Sequence, residues 1–91
     1  MRRKCFLCGR AETSFIRLER HHIFGAANRP LSEKYGLTVL LCHDCHNEPP
    51  RGVHYNKETA DYLHRYGQEK AMREQNWTAD EFRAVFGKNY L

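Results

Sequence analysis

The chain has 91 residues, with 15 Lys/Arg against 11 Asp/Glu and a formal charge of +4. That length suits one domain but leaves an apolar core that stabilises a fold only marginally, so a cross-link or a bound metal is expected to supplement it. No apolar run approaches the roughly 20 residues of a membrane span, and "MRRK" leads into "CFLCG" instead of an apolar segment, so we expect no membrane insertion, no secretory signal and a cytoplasmic protein.

The charge is uneven. Residues 1–30 carry seven Lys/Arg and two Asp/Glu, whereas residues 31–91 carry eight and nine. A basic first third attracts phosphates and makes nucleic acid a candidate partner; the competing reading is a solvated basic surface.

Taken in chain order, the first feature is Cys5-x-x-Cys8, a knuckle whose tight turn is eased by Gly9. "SFIRLERHHIF" reads as a short strand running into a loop. In "GAANRPLSEKYG" Gly, Asn and Pro mark the loop, and Ser32 is placed to cap one helical turn stopped by Gly36. "LTVLLC" reads as a second strand, followed by the second knuckle, Cys42-x-x-Cys45. Residues 57–91 have helical periodicity instead. Asn56 can cap a helix over about Lys57 to Gln75, with Ala60, Leu63, Gly67 and Ala71 on one face and Tyr62 and Tyr66 beside it as core. Thr78 and Glu81 have capping-box spacing ahead of Phe82, Val85 and Phe86, and Gly87 can end that helix. The expected organisation is one domain over 1–91, a zinc module over 1–56 and a helical extension over 57–91 packed on it.

The two CxxC pairs, with 33 residues between Cys8 and Cys42, fit the two halves of a tetrahedral thiolate site. In a reducing compartment this spacing favours a structural zinc on Cys5, Cys8, Cys42 and Cys45 over two disulfides. Four thiolates complete a zinc and leave no position for imidazole. His21, His22 and His46 therefore form a separate set, able to converge on a second metal if the first strand ends or bulges at the pair and a helix starts after Cys45. His54, after Pro49-Pro50, is a further candidate ligand, while His43 and His64 read as packed or surface side chains.

Cys5-x-x-Cys8, then "HHIF", then "LLCHDCHN" resembles the HNH endonuclease family, particularly its small cysteine-bearing phage and prophage members, and the likeness covers roughly residues 5–56. It implies an α+β, zinc-stapled ββα-metal, treble-clef-like module. By position, His21 is similar to the family's catalytic-metal ligand, His22 to its general base and His46 to the ligand on its helix, with His54 as a third ligand or a phosphate contact. Many members have an asparagine-leucine pair ahead of the second CxxC, where this chain has Gly36-Leu37; Asn28 or Asn47 is left to hold the base-bearing loop.

The activity so implied is metal-dependent hydrolysis of DNA phosphodiester bonds. His22 would accept the water proton, and a metal on His21, His46 and His54 would stabilise charge on the phosphoryl group. Arg20, Arg29 and Arg51 flank the ligands and are placed to clamp phosphates. Imidazole suits Zn, Ni, Co or Mn better than Mg. The competing classes are a non-catalytic zinc module that binds nucleic acid and a phage-related interaction protein with a vestigial site.

Overall fold

Two short strands pair into one sheet: β1, Leu18–His22, and β2, Thr38–Cys42, which belong to the first of two compact units except for His22. The computed structural model describes residues 2–91. Its compact units interleave along the chain, the first comprising residues 2–21 and Thr38–Ala60 and the second His22–Leu37 and Asp61–Leu91. Among the described residues, no helix is long and apolar enough to cross a membrane.

In the first unit the chain doubles back at once. Lys4 and Ala11 form an antiparallel bridge, with Cys5 N donating to Arg10 O (2.9 Å) and Glu12 N to Arg3 O (2.8 Å). Gly9 closes this knuckle at φ +78°, a region that favours glycine, and its N–H reaches Cys5 O at 3.0 Å. A bond from Phe6 N to Leu40 O (2.8 Å) ties the knuckle to β2. Val39 and Leu41 are buried while Thr38 and Leu40 are half-buried, the period-2 pattern of a strand with one face in a core. Cys42 then caps α2, His43–Asn47. The helix thus starts before Cys45, not after it, which places His46 in its last turn.

The second unit holds residues 22–37 against the C-terminal helices. Its short helix α1, Arg29–Lys34, has Pro30 in its first turn, which a fixed φ suits. Ser32 does not cap it. The side chain is fully buried, accepts from Phe24 N (3.0 Å) and donates to Phe24 O (2.7 Å), pinning the loop after β1. Gly36 follows at φ +69°.

The helix α3 spans Lys57–Gln75, and Asn56 Oδ1 accepts from Thr59 N (3.0 Å) at its start. Leu63, Gly67, Gln68 and Ala71 are its buried residues, whereas Tyr62 is 57 % exposed, so the tyrosines do not form one core stripe. A polar residue joined the core because it is satisfied: Gln68 donates to Asn89 Oδ1 (2.7 Å) and accepts from Tyr90 N (2.6 Å), fastening the C-terminal tail. The last helix, α4, spans Ala79–Phe86 with a complete Thr78/Glu81 capping box and Gly87 in the left-handed region at its end. Phe24 is the aromatic centre of this unit, its ring 4.9 to 5.6 Å from those of Phe82, Phe86, Tyr90 and His64.

Gly67 permits the close approach of α3 to the chain after β1. A Cβ there would lie 2.7 Å from Ile23 Cγ2 and 2.9 Å from Phe24 Cε2, both on fully buried side chains. Alanine gains about 1 kcal/mol of helix propensity, but overpacking costs typically 1–3 kcal/mol. Gly67→Ala is therefore expected to lower stability by about 1 kcal/mol or more in urea unfolding, whereas an increase would show that the contact relaxes freely.

Burial pushes the His64 imidazole below its ordinary pKa, against an opposing pull from Asp61. Its unfolded value is about 6.5, so the neutral ring contributes full stability above that pH and loses it as pH falls through the lower folded value. His64→Phe keeps a ring against Phe24 and removes the titration. The difference in melting temperature between the two proteins is expected to shift in the variant's favour from pH 7.5 to pH 5; no change would remove His64 from the acid response.

Candidate metal centres

Both centres lie in the first unit. The ligating atoms of Cys5, Cys8, Cys42 and Cys45 all lie within 4.8 Å of one another, and so do those of His21, His46 and His54. The fold brings together the four thiols expected as one set; of the expected histidine set it brings together His21 and His46, joined by the further candidate His54 in place of His22.

The thiols come from two matching sources: the knuckle of residues 5–8 and the junction of β2 with α2. Bonds of about 2.3 Å at tetrahedral angles put sulfurs about 3.8 Å apart. Cys8 Sγ and Cys42 Sγ are 3.7 Å apart, far beyond a disulfide bond, and all four thiols are free. Burial opposes ionisation of Cys5, but N–H donors from Cys42, Cys8 and Leu7 outweigh it and hold the thiol well below its usual range, whereas burial pushes the Cys42 and Cys45 thiols up. Arg51 Nη2 donates to Cys45 Sγ at 3.7 Å, placing a positive charge beside the thiols. This donor set fits a closed structural site for a metal such as zinc. It also places Arg51 with the thiols and not with the imidazoles.

The imidazoles converge from three directions. His21 arrives on β1 and is 8 % exposed; His46 arrives on α2 and is half-buried; His54 is exposed and lies on the return of the chain. That return is folded onto α2 by Gly52 N to Glu48 O (2.6 Å), Val53 N to Cys45 O (2.8 Å) and His54 N to His46 O (3.4 Å). Gly52 permits it, since a Cβ would lie 2.8 Å from Glu48 N and 3.0 Å from Asn47 backbone atoms. The ring centroids form a nearly even triangle of 5.1, 5.2 and 4.8 Å. Burial, followed by the nearby His46 charge, lowers the pKa of His54 and favours the neutral ring that a metal requires.

Glu19 was not among the residues singled out from sequence. Its Oε1 accepts from His46 Nδ1 (2.8 Å) and Asn47 Nδ2 (3.1 Å), and its Oε2 meets His43 Nδ1 at 3.2 Å. The His46 bond is the main cause of its lowered pKa. With Nδ1 so held, Nε2 of His46 is the nitrogen left for a ligand, the arrangement that fixes tautomer and ring direction at metal-binding histidines. Strand alternation carried a signal for it, because Glu19 and His21 are two apart on β1 and share a face. His43 is no isolated surface ring, since its Nε2 also meets Glu48 Oε1 at 2.9 Å.

The remaining candidates have other placements. β1 runs through His22 to its end without a bulge, and His22 Nε2 meets Glu33 Oε1 at 2.8 Å within the second unit. Asn47 is beside the imidazoles through Glu19, whereas Asn28 Nδ2 donates to Phe86 O (2.9 Å) in the second unit. Arg20 is an exposed residue of β1, and Arg29 is the exposed first residue of α1.

Comparison of the chain with protein-family models, with curated proteins and with solved structures gave no match.

Proposed function

We propose that the protein is a metal-dependent endonuclease of the HNH type that hydrolyses DNA phosphodiester bonds. The observation that carries this reading is the convergence of His21, His46 and His54 beside, and separate from, a four-thiol cluster. A zinc-binding scaffold alone requires the thiols but gives no reason for three imidazoles within 4.8 Å, one of them aligned by a carboxylate. The histidine set suits Zn, Ni, Co or Mn, with Mg a poorer match.

In this reading His21, His46 and His54 hold a divalent metal, which when bound supplies positive charge to the phosphoryl oxygens and the departing sugar oxygen. Glu19 and Asn47 keep His46 directed at its ligand. His22, next to His21 in the chain, takes a proton from the attacking water; Glu33 holds its Nε2, leaving Nδ1 as the acceptor. Arg20 and Arg29 are phosphate contacts, and Arg51 serves the thiol cluster first. The products are a 5′-phosphate and a 3′-hydroxyl.

The test is nicking of supercoiled plasmid with added Mn, Ni, Co, Zn or Mg. Cleavage that a chelator abolishes supports the enzyme. DNA binding without cleavage under every metal would instead select the non-catalytic zinc module, and neither activity would select the phage-related interaction protein.

Glu19→Gln is expected to weaken the second metal about 10- to 100-fold, the usual effect of removing a carboxylate behind a ligating histidine, while leaving zinc content unchanged. Metal titration with a competing chelator measures it, and unaltered affinity would remove Glu19 from the site.

A further inference from the structure

The loop between the first knuckle and β1 holds an aromatic side chain that the fold does not use. Phe15 is 95 % exposed. Yet its loop is firmly built: Thr13 Oγ1 accepts from Phe15 N (3.1 Å) and Ile16 N (3.0 Å), and Thr13 N donates to Ile16 O (2.9 Å). The base of the loop is closed by Glu12, whose Oε2 accepts from Leu18 N at 3.2 Å. Arg3 in turn holds Glu12 through two bonds of 2.9 and 3.0 Å. A phenyl ring on an ordered loop loses little conformational freedom when it docks, which favours binding.

Its surroundings are cationic and concave. Arg3, Glu12, Thr13, Ser14 and Arg17 line a cleft of about 350 Å³. Arg2, Arg3, Lys4, Arg10, Arg17 and Arg20 are all exposed, against the acidic Glu12 and Glu19 in the same stretch. From Phe15 the chain runs directly into β1 and reaches His21 six residues later, a separation of at most about 20 Å. This is about six steps of a nucleic-acid strand at 3.4 Å per phosphate.

We propose that the loop of residues 13–17 is a DNA contact in which Phe15 stacks on a base while Arg17 holds a neighbouring phosphate. The choice of DNA rests on the nuclease reading above; the contact itself rests on the exposed ring, its ordered loop and the charge around it. Stacking tolerates any base, so the contact positions the substrate without specifying its sequence. An anionic lipid surface also accepts basic and aromatic residues, but the strand that follows the loop carries His21 of the metal-ligand set, which favours a phosphodiester partner.

The experiment compares wild type, Phe15→Ala and Phe15→Trp for binding a short duplex and a single strand by anisotropy, without added divalent metal. Binding to phosphatidylserine vesicles and plasmid nicking with metal are measured in parallel. Phe15→Ala is expected to weaken DNA binding about 5- to 100-fold. Its melting temperature and zinc content should not change, because the ring is 95 % exposed. Phe15→Trp is expected to keep the affinity and to show fluorescence quenched by DNA beyond the wild-type Trp77 signal. Equal DNA affinity of Phe15→Ala and wild type overturns the proposal, and if wild type also nicks plasmid the nuclease reading survives that loss. Weakened binding in a protein that never cuts upholds the contact and overturns the nuclease reading. Wild type that neither binds nor nicks DNA overturns both, wild type that nicks without binding overturns the contact alone, and an alanine effect confined to vesicles overturns the DNA contact.

Discussion

Cys42→Ser is expected to lose the zinc and to unfold the first compact unit. Cys42 is 1 % exposed, ends β2 and caps α2, so the thiol cluster joins the knuckle, the sheet and the helix at one point. The strands are only five residues each, and a two-stranded sheet is marginal without additional support. Structural zinc contributes roughly 10–16 kcal/mol of apparent binding energy in small folds, comparable to the whole stability of a typical domain. Removing one of four thiolates also leaves the others close together without a cation to offset their charge. Zinc stoichiometry and amide dispersion of residues 2–21 and 38–60 measure the outcome; a folded, metal-free variant would show that the thiols are not the staple. His46→Ala is the control, expected to retain this zinc and weaken only the second metal.

On the proposed nuclease reading, His22→Ala is expected to slow DNA cleavage about 10²- to 10⁴-fold, the usual contribution of a positioned general base, while DNA and metal affinity stay unchanged. His21→Ala is expected to fail differently. It removes an imidazole from the triad, so metal affinity falls and excess metal recovers part of its activity. The same excess should recover none of the activity missing from His22→Ala. Glu33→Gln, which leaves a neutral hydrogen-bonding partner on His22 Nε2, should give an intermediate loss in turnover. Unimpaired cleavage by His22→Ala would remove it as the base, and equal metal loss in both alanine variants would make it a ligand.

The elements that could be read from sequence are those whose determinants lie within a few residues. Asn56 opens α3 and the capping box of Thr78 and Glu81 opens α4, because a cap needs only a side-chain acceptor one turn from an unpaired N–H. The β-branched, apolar run "LTVLLC" marked β2 in the same way. α2 was misplaced because Cys42 supplies no side-chain cap, so its start at His43 carries no local mark. Tyr62, expected in the core, is exposed, and Gln68, which no local pattern marked, is buried for a tertiary reason: the tail brings Asn89 and Tyr90 to satisfy it, from more than 20 residues away in the chain.

By itself, the sequence determined the donor chemistry of both centres: two CxxC pairs for a thiolate site and a surplus of histidines that such a site cannot absorb. Only the tertiary structure decided which histidines meet. His21, His46 and His54 converge because β1, α2 and the return over Gly52 bring three separate stretches together, while His22, adjacent to His21, pairs with Glu33. Glu19 acquired its role in the same way, since its partners His43, His46 and Asn47 lie 24 to 28 residues further along the chain. Residue type sets what a side chain can bind, whereas the direction of a ring and the partner on its second nitrogen depend on packing between distant segments.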